Sequence, residues 1–199
     1  MRVGRLLLVV AVLAMVAALA ACSGSDEEAP PDEAVAPDTP SSQQKQTAED
    51  QANAPDDTTL TVTVPKMERV KNSPIPSTFG DDEDSLREFA GIHLDGTGFP
   101  WQEEANVYIA GHRLGYPNTR SFLAFWDIDN VVEGDQIFVE DANGREYTYE
   151  VFQTLEVEPT DLFVTEPIEG KNIITLQTCT LPDYARRVVV QGELQDTQA

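Results

Sequence analysis

The chain has 199 residues, of which 41% are hydrophobic and 24% are charged, as is ordinary for a globular protein with one core. It carries 35 acidic residues against 13 Lys and Arg, a formal net charge of -22. This charge argues against a nucleic-acid partner and against docking on anionic lipid through a basic surface, because both need a surplus of cations on some face. We interpret the acidity as a source of solubility.

The N-terminus has the pattern of an export signal. Two arginines, Arg2 and Arg5, precede an uninterrupted apolar run over residues 6–21 that ends at Cys22. The run is shorter than the roughly 20 residues of a membrane-spanning helix, and the small residues before Cys22 resemble a bacterial lipobox. We therefore predict that residues 1–22 are a signal peptide whose Cys22 becomes a lipid anchor. The alternative is an uncleaved signal anchor formed by the same residues.

Either form of this segment holds the rest of the chain at the extracytoplasmic face of a bacterial membrane. Residues 23–58 are rich in Ala, Pro, Gln and acidic residues and contain no aromatic residue. Such a segment cannot bury enough apolar surface to fold, so we predict a disordered acidic tether. Folded structure is expected over residues 59–194, followed by a short tail over residues 195–199.

Strand patterns dominate the predicted domain. Alternating or apolar runs occur at residues 59–64, 90–94, 105–110, 135–140, 147–152, 172–178 and 187–194. The Asn143-Gly144 pair between two of these runs predicts a β-hairpin. Helical patterns are confined to residues 82–89 and 119–126. Many short strands with one or two short helices indicate an all-β fold, either an antiparallel barrel or a sandwich.

Cys179 is the first candidate for chemistry. If Cys22 is lipidated or lies in the membrane, Cys179 has no second cysteine to pair with, since the chain has only 2. An unpaired thiol in an exported protein calls for an explanation. Cys179 ends a predicted strand, where the sheet fixes the backbone and the side chain is accessible to a substrate. A small buried structural cysteine is the alternative.

A histidine and an arginine would complete such a site. The chain has 2 histidines. His112 follows a strand and a glycine that lets the backbone be approached closely, whereas His93 lies within a strand and is expected to face solvent. Arg186 and Arg187 begin the last predicted strand and face opposite sides of the sheet. One of them could stabilise an oxyanion, and the residues alone leave that choice open.

These segments together resemble a sortase, most closely one of class E. The resemblance rests on Ala-Gly-His-Arg around His112, on Thr-Leu-Gln-Thr-Cys ending at Cys179, and on Arg-Val-Val-Val beginning at Arg187. It implies a closed antiparallel β-barrel of about eight strands. It also implies Cys179 as nucleophile, His112 as acid and base, and Arg187 rather than Arg186 as the catalytic arginine. Thr178 is implied to support the substrate or the oxyanion.

The function implied by the resemblance is transpeptidation. Cys179 would cleave the Thr–Gly bond of a C-terminal sorting signal of the Leu-Pro-x-Thr-Gly or Leu-Ala-x-Thr-Gly type. The acyl group would pass from the thioester to an amine of a peptidoglycan precursor or to a pilin lysine. The partners are thus sorting-signal peptides, the amine acceptor and, through the N-terminal anchor, the membrane. Sortases usually keep an uncleaved N-terminal helix, so a lipobox would be a departure in the anchor.

Two other functions are alternatives to transpeptidation by a sortase. L,D-transpeptidases also place Cys, His and Arg on a β scaffold, but they carry Ser-x-Gly-Cys-x-Arg, which the sequence around Cys179 does not match. An extracytoplasmic lipoprotein that only binds, with an inert buried Cys179, is the second. We expect no cofactor and no metal site, because no Cys/His spacing suits zinc. The acidic cluster at residues 81–84 is interpreted as a helix start rather than a calcium site.

Overall fold

The computed structural model describes residues 52–198. The predicted signal segment with Cys22, and the predicted tether up to residue 51, lie outside the described residues. Within residues 52–198 no helix is both long enough and apolar enough to cross a bilayer.

Nine strands form one sheet in the described part of the chain. They are β1 (Leu60–Thr63), β2 (Ser73–Ile75), β3 (Ser77–Thr78), β4 (Ile92–Leu94), β5 (Ala105–Ala110), β6 (Gln136–Glu140), β7 (Glu146–Val157), β8 (Asn172–Cys179) and β9 (Arg187–Gln198). The helical elements are α1 (Glu83–Glu88) and two 3₁₀ turns, Ile128–Asn130 and Leu162–Thr165.

The sheet is nearly closed into a barrel. Its order is β2-β1-β6-β7-β9-β8-β5-β4-β3. The two edge strands, β2 and β3, are separated in the chain by Pro76 alone, so the two ends of the sheet meet at one bent segment. Counted as one strand, this segment gives the predicted eight. The prediction of an all-β barrel is confirmed, although β3–β4 and β5–β8 pair in parallel.

Alternation of side chains explains why these strands pack as a barrel. In β1, Leu60 and Val62 are buried while the residues between them are half-exposed, as period-2 alternation requires. The central strands are buried on both faces: β5 and β8 contribute Val107, Ile109 and Leu176 to the main core. Their alternate residues form a second face, which carries the site.

Several predicted features are found where expected. The hairpin between β6 and β7 is confirmed: Gly144 has φ +81°, and the Asp141 carboxylate accepts from the backbone N–H of Asn143 and Arg145 at 2.9 and 3.0 Å. The acidic cluster is a helix start as interpreted, because Asp82 caps α1 and accepts from the Ser85 N–H at 3.0 Å.

Other expectations differ from the structure. Residues 119–126 form successive turns, not an α-helix, and Leu123 there has φ +57°, which a helix does not allow. Strand β9 continues to Gln198 and pairs with β7, so residues 195–198 extend the sheet in place of a separate tail. β2 and β3 were not predicted.

His93 does not face solvent, and that expectation is wrong. Its side chain is 0% exposed. Nδ1 lies 3.0 Å from the Ser77 hydroxyl, and Nε2 lies 2.9 Å from the Gly98 carbonyl oxygen. Burial lowers the pKa of His93, and the Gly98 carbonyl and the Asp95 carboxylate offset this in part. His93 therefore joins β3, β4 and the following turn as a neutral structural residue.

We expect the pH dependence of stability to carry a contribution from His93. The unfolded His93, with a pKa near 6.5, binds a proton more readily than the native residue, so its stabilising contribution is complete above about pH 6.5 and is lost as the pH falls below it. Urea unfolding of wild type and His93→Gln between about pH 5 and pH 7.5 measures this, since the variant lacks the contribution. Equal slopes of unfolding free energy against pH would contradict it.

Candidate active site

Three predicted residues meet at one end of the barrel. Cys179 is the last residue of β8, and Arg187, the first residue of β9, is its antiparallel partner. His112 follows β5 by two residues, and β5 pairs with β8 in parallel with Ala110 opposite Gln177. The ends of parallel strands meet at the same edge of a sheet, so His112 and Cys179 lie side by side. Arg187 lies on the far side of Cys179.

Gly111 fixes the backbone before His112. Its N–H donates to the Gln177 carbonyl at 3.0 Å, and its carbonyl oxygen accepts from the Thr178 hydroxyl at 2.7 Å. A Cβ at this position would lie 2.3 Å from the Phe125 ring and 2.7 Å from the Ala90 carbonyl oxygen. No other residue type fits at position 111 without displacing the loop. This agrees with the sequence-based expectation that another part of the chain approaches the backbone of this glycine closely.

The loop after Gly111 folds back on itself and holds the histidine. The His112 carbonyl accepts from the Phe125 N–H at 3.2 Å. The imidazole meets the Tyr116 ring edge-on with centroids 5.5 Å apart, and the Arg87 guanidinium of α1 covers Tyr116 at 4.7 Å. Within residues 52–198, Nε2 of His112 is buried and has no hydrogen-bond partner. This nitrogen is therefore not committed to a hydrogen bond within the described residues.

Cys179 is a partly exposed free thiol. It shares a face of β8 with Gln177 and Thr175, two and four residues earlier. Partial exposure favours a reactive role over that of an inert buried cysteine.

The two arginines have different surroundings. Arg186 is bound in ion pairs: Nη1 lies 2.9 Å from a carboxylate oxygen of Glu156, and Nε lies 3.0 Å from one of Glu158. Arg187 donates through Nη1 only to the carbonyls of Tyr184 and Arg186, at 3.2 Å each. Among the described residues no carboxylate pairs with Arg187. Its charge is therefore available to a substrate, which supports Arg187 over Arg186.

Thr178 points to the opposite face of β8 from Cys179. It is 1% exposed, and its hydroxyl is bound to the Gly111 carbonyl. The hydroxyl thus acts on the backbone that carries His112. Support of the substrate or the oxyanion by Thr178 stays a prediction.

A buried apolar cluster lies beside the thiol, on the same face of the sheet. It is formed by Tyr108, Val157, Val164 and Val189, with Leu94, Ala110 and Leu155 packed against them. The Tyr108 hydroxyl donates to the Gln177 amide oxygen. Burial raises the pKa of Tyr108 to about 12, and the nearby Arg187 opposes this rise. This cluster, which we call the outer apolar face, supports the backbone next to Cys179 and Arg187.

A buried polar chain fixes the β7–β8 connection, residues 158–171, over the outer apolar face. Gln191 donates to the Thr175 hydroxyl at 3.0 Å, and that hydroxyl donates to the Asn106 side chain at 2.7 Å. Asn106 in turn donates to the carbonyls of Val164 and Glu166, each at 2.9 Å. Residues of three strands thus hold the connection in place through the Asn106 side chain.

Sequence reasoning missed Tyr108, Gln177 and this polar chain, although a signal for them existed. Steps of two residues back from Cys179 reach Gln177 and Thr175, and steps of two forward from Arg187 reach Val189 and Gln191. Residues at this spacing share a face of a strand. Polar residues at these positions within apolar strands therefore mark the face that carries the nucleophile.

The comparisons with known proteins agree on one family. The sortase domain family model matches residues 62–195. Sortase A of Bacillus anthracis is 37% identical over 97 residues, which cover 48% of this chain and 43% of that protein. The matched segment thus spans less than half of that relative's length.

Solved structures give the same family. Sortase A from Corynebacterium diphtheriae matches with a TM-score of 0.60 at 27% identity, covering 72% of this chain and 63% of that one. Sortase C1 from Streptococcus agalactiae matches with a TM-score of 0.59 at 28% identity, covering 70% and 67%. These relatives are named as classes A and C, so the resemblance to class E stays a prediction.

We expect Thr178→Val to lower the free energy of unfolding by about 1–2 kcal/mol, because the buried Gly111 carbonyl loses its donor while the side-chain volume is retained. Chemical denaturation of the variant measures this. Thr178→Ser, which keeps the hydroxyl, is the matched control and should recover most of the loss. If Val and Ser variants are equally stable, the hydrogen bond does not stabilise the loop.

Proposed function

Because the chain belongs to the sortase family, we propose that it is a cysteine transpeptidase acting at the extracytoplasmic face of the membrane. Its substrates are C-terminal sorting signals cleaved between Thr and Gly. Its products are conjugates of the upstream segment with an amine of a peptidoglycan precursor or of a pilin lysine. The observation that carries the proposal is the adjacency of His112, Cys179 and Arg187 at the ends of three neighbouring strands.

The first half-reaction forms a thioester. The Cys179 thiolate attacks the threonine carbonyl carbon, and the carbonyl oxygen becomes an oxyanion. Arg187, whose guanidinium makes no ion pair within residues 52–198, is the available donor for this oxyanion. His112 gives its proton to the glycine nitrogen as the C–N bond breaks. The glycine-side fragment leaves as a neutral amine, and the upstream segment stays on Cys179.

The second half-reaction reverses these roles. The acceptor amine attacks the thioester carbonyl, and neutral His112 takes the proton that the nitrogen loses. The C–S bond breaks, the amide bond forms, and Cys179 leaves as a thiolate. We assign both proton transfers to the His112 imidazole, which lies next to Cys179 at the ends of paired strands.

A sorting signal of the Leu-Pro-x-Thr-Gly or Leu-Ala-x-Thr-Gly type would place its threonine carbonyl at Cys179, whose thiol is partly exposed. The buried packing of the outer apolar face and the connection held by Asn106 fix the backbone around the thiol. A fixed backbone reduces the ordering cost when the peptide binds.

Membrane attachment through Cys22 belongs to the same proposal. A lipid on this residue would keep the catalytic domain at the surface to which sorting signals and precursors are delivered. Metabolic labelling with a fatty acid should mark the wild-type chain and leave Cys22→Ala unmarked. Equal labelling of both, or membrane retention of a Cys22→Ala chain of full uncleaved mass, would favour the signal anchor.

Trapping the thioester tests the reaction directly. We expect incubation with either sorting peptide to add the mass of the upstream fragment to wild type and nothing to Cys179→Ala. An added amine should then release that fragment as a conjugate. If neither peptide acylates the wild-type chain, the proposed function is wrong.

The choice of arginine has a matched control in its neighbour. Arg187→Gln should lower kcat/KM for peptide cleavage by about 10²- to 10³-fold, the usual cost of one oxyanion donor. Arg186→Gln removes the same charge one residue away, on a side chain already bound to Glu156, and should change kcat/KM only a few-fold. Similar losses in both variants would leave Arg187 without a special role.

A thiol probe separates this function from that of a binding module. An enzyme with Cys179 partly exposed should be alkylated rapidly in its native state, and more slowly in the His112→Ala background. If Cys179 is not labelled until the protein is denatured, the proposed enzymatic function is wrong and a binding module is favoured.

A further inference from the structure

A basic cleft opens on the barrel between the start of β2, the residues before β4 and the loop that follows His112. It has a volume of about 380 Å³, and its lining includes Arg69, Lys71 and Arg120 together with Ala90 and Thr119. Arg69 packs over the Phe122 ring at 5.7 Å. Lys71 and Arg120 make no hydrogen bond or ion pair with any described residue. No Asp or Glu lines this cleft.

This arrangement is unusual for so acidic a domain. Residues 59–194 contain 24 acidic and 10 basic residues. Four of these ten basic residues form ion pairs with carboxylates: Lys66, Arg113, Lys171 and Arg186. Three cations gathered around one polar cleft repel one another, and an anion from outside the described domain would relieve this repulsion.

The basic cleft lies at the catalytic end of the barrel. β8 ends there with Cys179, and β5 ends there because it runs parallel to β8. β4 runs antiparallel to β5, so the residues before β4 lie there as well. The strand direction reverses at each step from β8 through β9, β7, β6 and β1 to β2, so β2 also begins at this end. Lys71 lies two residues before β2, and Ala90 lies two residues before β4. The cleft and the catalytic residues therefore share one rim.

The cleft lies on the His112 side of the site. The Ala90 carbonyl oxygen is close enough to Gly111 to exclude a side chain there. Thr119 and Arg120 belong to the loop that begins at His112 and returns to it through Phe125. A reactant that lies in the cleft would thus approach His112 from the side away from Arg187.

We propose that the basic cleft is an anion subsite that holds a carboxylate or phosphate group of the amine acceptor. The proposal rests on the function proposed above. The acceptor's anionic part would bind Lys71 and Arg120 while its amine lies at His112. There the amine attacks the thioester, His112 takes the proton, and Cys179 leaves. The anionic group undergoes no chemical change and serves only to bind and orient the acceptor.

Acceptors matched in their amine test this proposal on the full-length chain. Oligoglycines of increasing length would end in a neutral amide, a carboxylate or a phosphoserine amide. At the best length, the anionic acceptors should have a KM lower than the neutral one by about 3- to 10-fold, as expected for two exposed cations. Comparison of carboxylate with phosphate tells which anion the cleft prefers. No difference between neutral and anionic acceptors at any length would overturn the proposal.

Two variants locate the effect. The double variant Lys71→Gln/Arg120→Gln should abolish the KM difference. Lys171→Gln is the control, because Lys171 precedes the start of β8, at the other end of that strand from Cys179. It should keep the preference despite its own loss of charge. Retention of the preference in the double variant, or its equal loss in the control, would overturn the assignment to this cleft.

The same samples separate this proposal from the function on which it depends. Acyl-enzyme on Cys179, measured by mass before any acceptor is added, reports the first half-reaction alone. Absence of acyl-enzyme refutes the proposed function, whereas acyl-enzyme without acceptor preference refutes only the anion subsite. Occupation of the cleft by the acidic segment 23–58 would also abolish the preference in the full-length chain, and would count against the subsite.

Discussion

The parallel pairing of β5 with β8 is the constraint on which the site depends. It brings the ends of two strands, which have 61 residues between them in the chain, to the same edge of the sheet. Gly111 extends this pairing beyond β5 through the Gln177 carbonyl and the Thr178 hydroxyl. Because β9 pairs antiparallel with β8, its first residue reaches the same edge. An antiparallel β5–β8 pair would leave His112 and Cys179 at opposite ends of the barrel.

The strands that carry the site use their two faces for different purposes. Inward residues such as Ile109, Leu176 and Val190 belong to the main core, which stabilises the barrel by burial of apolar surface. Outward residues of the same strands form the outer apolar face and the polar chain through Thr175 and Asn106. The rigidity of the site is therefore a consequence of barrel packing.

Charge is distributed unevenly in this acidic domain. Arg186 is neutralised by glutamates and Arg113 by Asp129, so these cations serve structure. Arg187 and the cations of the basic cleft lack such partners in the described part of the chain. Positive charge at the catalytic rim is thus available to ligands from outside the barrel. The acidic residues elsewhere on the domain act on it only at a distance, through screening solvent.

Much of the architecture could be predicted because strand patterns are local. Seven of the nine strands in the described residues coincide with the predicted runs. β2 and β3 were not predicted because Pro74 and Pro76 interrupt any strand pattern and because these strands are only 3 and 2 residues long. His93 was misplaced for a different reason: Ser77 and Gly98, which satisfy its imidazole, come from other segments.

The sequence by itself determined the chemical identities at the site: a thiol at the end of a strand, an imidazole after a glycine, and a pair of arginines at the start of a strand. These depend on residue type and local pattern. The tertiary structure decided which arginine is free and where the thiol lies relative to the imidazole. It also decided that Lys71 and Arg120, 49 positions apart, line one cleft. Such relations depend on register and chain direction across the sheet, which arise only when distant segments pair.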